Sequence, residues 1–370
     1  MQRRGRDQVT AIDAVWYGTS AAARLARAAL APASWIFRAG VYVNARRFES
    51  GAEAVHASAL PALSIGNLTV GGTGKTPVAA WAAGALCARG ASPAIVMRGY
   101  GDDETLVHAR LNPDVPVVIH SDRVVGTVEA ARIGADCVIL DDAFQHRRIA
   151  RVSDWVLVSA DRWSDDLRLL PAGPLREPVN GLRRADVLVL TRKDATYARA
   201  ESIGEALITR FPRVGLAICH LALGDLVPAT AGPSRSRSWL RGRRVLATAA
   251  VGDPTAFFSQ LRGEGAEIRP RAFSDHHAFT AADVAELTAL AEGLDGVVCT
   301  LKDAVKLGPL WPAAAAPLWY VSQIAVFERG SALLDRALDA VLAARHAASS
   351  TAGPAGPSSP KNGHRSSTAD

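Results

Sequence analysis

The sequence predicts an α/β protein: a parallel-sheet domain built round a phosphate-binding loop, a second, smaller α/β domain, and an N-terminal amphipathic helix. Three observations carry that prediction. Short apolar runs alternate with helix-length stretches from residue 61 to 159, the mark of parallel strands joined by crossover helices. A glycine-rich run ending in Gly74-Lys75-Thr76 follows the first of those strands and opens a helix. A second alternating set begins after a Pro- and Gly-rich segment at 169–178. A chain of 370 residues has room for about two ordinary domains.

In order along the chain, apolar runs place strands at 62–65, 94–97, 117–119, 137–140 and 155–158, with helices at 77–89 and 126–133. The second set places strands at 187–190, 245–251 and 297–300, and helices at 198–211 and 254–263. A last strand at 318–322 and a helix at 331–347 are expected to return to the first domain. The expected divisions are a membrane-associating segment (1–50), a nucleotide-binding core (51–165), a second α/β domain closing the cleft (166–315), the returning strand and helix (316–347), and a tail (348–370). The tail is rich in Ser, Pro, Gly and Ala and is expected to be disordered.

Composition narrows the function classes. Hydrophobic residues make up 49% and charged residues 21%, close to globular averages, which excludes wholesale disorder. The cysteines Cys87, Cys137, Cys219 and Cys299 are far apart and form no metal-ligand spacing, which argues against zinc or a disulfide framework and favours a reducing compartment. The basic N-terminus (Arg3, Arg4, Arg6) is followed by no small-residue cleavage site. Residues 14–43 are apolar and aromatic, but Arg24, Arg27 and Arg38 interrupt them, so they do not read as a spanning helix. They read as a helix lying in a membrane interface, with Trp16, Tyr17, Trp35, Phe37 and Tyr42 at headgroup level and Arg46 and Arg47 facing anionic lipid. The alternative is a helix packed on its own domain.

The chemistry starts at Thr69-Val70-Gly71-Gly72-Thr73-Gly74-Lys75-Thr76. Glycines let backbone N–H groups approach phosphate oxygens, Lys75 reaches the β- and γ-phosphates, and the Thr76 hydroxyl suits magnesium. The strict pattern has Gly where this chain has Thr69. The next signal is Cys137-Val138-Ile139-Leu140-Asp141-Asp142, an apolar strand ending in two acids. Beside a phosphate loop, Asp141 and Asp142 are expected to bind magnesium or to support its ligands. The predicted core is therefore P-loop NTPase-like. Two weaker signals are Asp102-Asp103-Glu104, which on its own reads as a surface turn, and Asp275-His276-His277, ahead of a helix start at Thr280. Phosphoryl transfer to an alcohol calls for a base, and a carboxylate paired with an imidazole suits that role. Thr191-Arg192-Lys193-Asp194 reads as a loop.

Taken together, SIGNLTVGGTGKTP (64–77), RGYG (98–101), LDDAFQHRR (140–148), LLPAGPLREP (169–178), AFSDHHAFT (272–280) and KDAVK (302–306) carry a resemblance. The chain resembles the tetraacyldisaccharide 4′-kinase family, the lipid A 4′-kinases. The resemblance implies ATP as donor, Mg2+, and the 4′-hydroxyl of a tetraacylated glucosamine disaccharide 1-phosphate as acceptor. It also implies peripheral attachment to the cytoplasmic face of the inner membrane. A monomer with no nucleic-acid partner is expected.

By that resemblance Thr69 to Thr76 hold the nucleotide. Thr76 and Asp142, with Asp141 or Glu104, hold the metal. Asp103 acts as base, oriented by His276 with Asp275 beside it. The segment before Asp103 is shorter than in the family, which leaves Asp102 as a rival base. Gln145 and His146 match a family motif, and Arg123 and Arg176 are candidates for phosphate contacts. A positioning ATPase is disfavoured because such proteins carry a Lys where this chain has Val70. A nucleic-acid ATPase, suggested by a pI of about 9.4, is disfavoured because Arg and aromatic residues concentrate in one N-terminal segment.

Overall fold

The computed structural model describes residues 11–99 and 102–351. Its elements run α1 (Ala11–Tyr17), α2 (Ala21–Glu49), β1 (Ala62–Asn67), α3 (Lys75–Cys87), β2 (Pro93–Met97), α4 (Asp102–Leu111), β3 (Val117–Ile119), α5 (Arg123–Arg132), β4 (Cys137–Asp141) and β5 (Ser153–Ser159). They continue with β6 (Val187–Arg192), α6 (Tyr197–Arg210), β7 (Gly215–Pro228), β8 (Arg244–Ala249), α7 (Pro254–Gly263), β9 (Glu267–Ala272), α8 (Ala281–Leu290), β10 (Gly296–Thr300), α9 (Leu301–Leu307), β11 (Leu318–Arg329) and α10 (Ser331–Thr351). The first residues of the expected tail, 348–351, are the end of α10; the rest of the tail and the side chains of Asp102 and Asp103 lie outside the described residues.

All the strands named belong to one sheet, ordered β3-β2-β4-β1-β5-β6-β7-β11-β10-β8-β9. Neighbours pair in parallel except β7 with β11, which run antiparallel. β1, β2 and β4 are buried along their whole length, as expected of strands covered by helices on both faces. One face packs Leu63, Ile65, Ile139 and Trp155 against α3 and α10, which contributes Leu334, Leu338 and Val341. The other face of β5, β6 and β7 packs under α6 through Leu188, Leu190, Ala200 and Leu207. In the C-terminal half, α8 and α9 cover one face and α7 the other.

Three elements differ from the sequence expectation for physical reasons. β7 carries no alternating pattern because both its faces are covered either side of His220, so it reads as two short apolar runs rather than one strand. β9 is an exposed edge strand with charges and Pro270, which an edge tolerates. Asp102-Asp103-Glu104 is not a turn but the first turn of α4.

The N-terminal segment is two helices. They meet at Gly18, where a Cβ would overlap the carbonyl oxygen of Ala14. Ser20 then caps α2, its hydroxyl accepting from Ala23 N–H at 3.2 Å. An inward stripe with helical spacing, including Ala23, Leu30, Ser34, Phe37, Val41 and Phe48, is wholly or partly buried. Ser34 docks the helix, donating to Leu169 O at 3.0 Å and accepting from Ala172 N–H at 3.1 Å. Leu25, Trp35, Ile36, Tyr42 and Val43 point outward. Apolar side chains therefore occupy both faces of α2, and Trp16 and Tyr17 turn toward the body rather than outward. Among the described residues no helix is long and apolar enough to cross a membrane.

Candidate active site

The end of β1, the loop after it and the start of α3 form a cradle. Gly71 and Gly74 adopt φ of 110° and 86°, the left-handed region that glycine enters without strain. A Cβ at Gly74 would also stand 2.5 Å from Leu221 Cδ1. Asn67 Nδ2 donates to Thr73 Oγ1 at 3.0 Å, and Thr191 Oγ1 on β6 donates to Thr73 O at 2.8 Å. The Pro- and Gly-rich segment lies along the other side: Val70 N–H donates to Pro174 O at 2.8 Å and Arg176 N–H to Leu68 O at 2.7 Å. The loop's shape is thus set by neighbours on both flanks as well as by its glycines.

Asp141 and Asp142 leave β4 in different environments. Asp142, at φ 52°, stands 3.7 Å from Lys75 Nζ and accepts from Arg176 Nη1 at 2.7 and 2.9 Å. Asp141 is buried and lies 3.1 Å from the Nε2 of fully buried His108. Burial pushes the Asp141 carboxyl up, but the His108 hydrogen bond and charge, with Lys75, outweigh it and hold it below the ordinary value. Its Oδ1 has no hydrogen-bond partner among the described residues.

The other residues singled out around β4 converge on this edge. Arg123 is buried and donates to His120 O at 2.9 Å and to Asp141 O at 3.1 Å. Gln145 Nε2 donates to Asn67 O at 2.8 Å and to Glu177 Oε1 at 3.1 Å. Glu177 in turn takes a two-pronged contact from Arg184, at 2.9 and 3.1 Å. Burial, with Arg123 close by, lowers the pKa of His146.

The remaining candidates come from the C-terminal half. Asp275 and His276 sit in the loop between β9 and α8, each half exposed, with His276 Nε2 4.0 Å from Asp275 Oδ1. His276 adopts φ 57°, and its N–H points to Ala250 O at 3.3 Å. Ala250 N–H donates to the buried Asp303 at 3.1 Å. Burial raises Asp303 to about 6, against hydrogen bonds from Thr300 and Ala250 that lower it. Beside Asp303 on α9, Lys302 Nζ reaches Glu104 Oε1 at 3.3 Å. Glu104 is therefore held by a lysine rather than gathered with Asp141 and Asp142.

A cavity of about 630 Å³ opens beside the phosphate loop, walled by Asp13, Trp16 and Tyr17 of α1, by 161–167, by 251–255 and by Asp275. A narrower cleft runs along Thr69 to Thr73 and shares Tyr17, Arg162, Trp163 and Leu167 with it. Sequence reasoning did not find His108, Arg162 or Asn67. His108 lies mid-helix with no local signal. Arg162 follows a parallel strand at its C-terminal edge, where ligands bind in such sheets, and that topological cue was available.

The LpxK family, described as tetraacyldisaccharide-1-P 4′-kinase, matches residues 26–109 and 101–343. The tetraacyldisaccharide 4′-kinase of Anaeromyxobacter sp. (strain Fw109-5) is 36% identical, covering 93% of this chain and all of that protein. That of Geobacter metallireducens is 36% identical over 78% of this chain and 90% of its own length. Among solved structures, LpxK from Aquifex aeolicus in complex with ATP superposes with a TM-score of 0.68 at 26% identity, covering 85% of this chain and 99% of that one. The chain belongs to the tetraacyldisaccharide-1-P 4′-kinase family.

Proposed function

We propose that this protein transfers the γ-phosphoryl group of ATP to the 4′-hydroxyl of a tetraacylated glucosamine disaccharide 1-phosphate, a step of lipid A biosynthesis. One observation carries the reading: the cleft along the phosphate loop and the large aromatic- and acid-lined cavity share a wall. The shared wall sets the cavity next to the phosphate loop. In this reading the amides of Thr69 to Thr76 hold the phosphates and Lys75 neutralises the transferring group. Positioning and charge stabilisation supply most of the rate.

The residues present fit Mg2+. Asp141 has a buried oxygen with no partner among the described residues, and Thr76 and Asp142, the latter now held by Arg176, carry further oxygens nearby in sequence. Mg2+ is commonly held by one or two carboxylates together with phosphates and water. An ion held there would supply positive charge against the phosphate oxygens. Arg176 and Lys75 hold Asp142 meanwhile.

Asp103, at the start of α4, is read as the base, with His276 orienting it and Asp275 beside it. Support comes from α9, whose Lys302 ties α4 through Glu104 and whose Asp303 ties Ala250, the residue that receives His276 N–H. Arg123, Gln145, His146 and Arg176 are read as acting toward phosphate or sugar groups from the β4 edge. The outward Trp35, Ile36, Tyr42 and Val43 of α2 support seating on the cytoplasmic face of the inner membrane.

The test is ATP turnover with and without an acylated disaccharide 1-phosphate, with the product analysed for a 4′-phosphate. Lys75→Ala is expected to lower turnover by roughly 10²-fold or more. ATP hydrolysis indifferent to the acceptor, with no phosphorylated lipid, would refute the reading in favour of a positioning ATPase.

A further inference from the structure

Arg162 is a side chain that the reaction scheme above does not use, yet it lies where the two cavities meet. Its guanidinium joins three segments distant in sequence. Nη1 donates to Asp13 Oδ1 of α1 at 3.1 Å, Nη2 to Gly252 O at 3.1 Å, and Nε to Asp253 Oδ2 at 3.4 Å. The Tyr17 ring stands under it, 5.1 Å from centroid to guanidinium carbon. Asp253 is fixed in turn, because its Oδ1 caps α7 by accepting from Ala256 N–H at 3.2 Å. Gly252, which gives Arg162 its carbonyl, lies near Asp275: a Cβ there would stand 3.3 Å from Asp275 Oδ2. The side chains of Arg162, Asp13 and Asp253 are no more than a quarter exposed, so the contacts are shielded in a way that surface pairs are not. Burial works against the charge on Arg162, but Asp253 and Asp13 outweigh it and raise its pKa.

We infer that Arg162 is a positioning residue for the acceptor: its planar fork holds α1, the loop after β5 and the loop before α7 in the one arrangement that forms the sugar cavity next to the phosphate loop. This rests on the reading of that cavity as the acceptor site. The fork geometry matters as much as the charge, since a lysine ammonium cannot make divergent contacts in one plane. The conformation of the phosphate loop is held by Asn67, Thr191 and Pro174, and Arg162 adds only a stretch of wall to the cleft beside it. Loss of Arg162 therefore acts on the acceptor and spares ATP.

The experiment measures KM for acceptor and for ATP in the full-length protein carrying Arg162→Ala, Arg162→Lys, Asp13→Asn, and Arg162→Ala with Asp13→Asn together. Arg162→Ala is expected to raise the acceptor KM about tenfold or more, the scale of lost charge-assisted hydrogen bonds. ATP KM should stay within about threefold, as for loss of binding to one substrate alone. Arg162→Lys should recover little. Asp13→Asn, on a peripheral helix, should raise the acceptor KM less, and the double variant should be no worse than Arg162→Ala. Should Arg162→Ala fail to fold, Asp13→Asn alone decides. An unchanged acceptor KM, full rescue by lysine, or equal rises in both KM values would overturn the inference. Thr255→Trp, which fills the cavity from the α7 side, separates the two readings. If it leaves acceptor KM unchanged, the cavity is not the acceptor site. If it raises that KM while the Arg162 and Asp13 variants do not, the cavity stands and the tether falls.

Discussion

His108→Phe tests the cost of leaving a carboxylate buried beside the phosphate loop. The phenyl ring keeps a flat aromatic shape but is larger by more than a methylene, so its overpacking adds a pH-independent cost to the loss of the Nε2 contact to Asp141 Oδ2 at 3.1 Å. Asp141 is 5% exposed, and its other oxygen already lacks a partner among the described residues. Breaking a buried pair by removing one member costs about 3–5 kcal/mol. Lys75 and the Asp142 N–H still act on the carboxylate, which places the expected loss near the lower figure, at about 3 kcal/mol. Urea unfolding of the two proteins, followed by tryptophan fluorescence across pH, measures it.

The sign of the pH effect follows from Asp141. Its folded pKa is depressed, so the pair's contribution is present above the ordinary carboxylate value and is lost as pH falls through the lower folded one. In His108→Phe, burial dominates and the folded carboxyl is raised, so the penalty is greatest at neutral pH and fades as the group protonates. The gap between the proteins should therefore narrow with acid. Adding Asp141→Asn should shrink it at neutral pH. A gap under about 0.5 kcal/mol at pH 7, or one that does not depend on pH, refutes the reasoning.

Other outcomes follow from the same geometry. Gly74→Ala forces a side chain into φ 86°, at a cost of about 1–3 kcal/mol, and should abolish measurable ATP binding in a nucleotide titration while the protein stays folded. Asp103→Ala and His276→Ala should each lower kcat strongly with ATP KM nearly intact, and the double variant should be little worse than either; additive losses would break the pairing, and an inactive Asp102→Ala beside an active Asp103→Ala would move the base. Ser at Trp35 and Ile36 should shift the protein off anionic vesicles in a sedimentation assay, with high salt releasing only part of the unmodified protein; a protein that never sediments at low salt refutes membrane seating.

The parts of the site legible in the sequence are those whose chemistry fixes a local run of residues. Phosphate binding needs the Gly71, Gly74 and Lys75 spacing within a few residues, and Asp141 and Asp142 end a strand that reads as buried. The parts that were not legible are assembled by tertiary structure. His108 meets Asp141 only because α4 packs beside β4, and no periodicity marks it. Arg162 gains its partners from residues 13 and 253, so nothing near it announces a role. Asp303 reads as an ordinary helix-start acid, and its bond to Ala250 N–H appears only once β8 lies next to β10. The segment 169–178 reads as a boundary loop because it is rich in Pro and Gly, yet its backbone is a partner of the phosphate loop. Composition reports conformational freedom; it does not report what the freed backbone touches.

The placement of α10 has a consequence for biosynthesis. Leu334, Leu338 and Val341 complete the apolar layer over β1 and β4, beside the helix that leaves the phosphate loop. A ribosome makes β1 early and α10 nearly last, so through most of translation that layer lies open to solvent and to other nascent chains. The nucleotide-binding half cannot close as a finished unit ahead of the C-terminal half, unlike domains that fold one after another as they emerge. Messages truncated before codon 334 should yield chains that chaperones retain and proteases remove, even though every phosphate-loop residue has been synthesised.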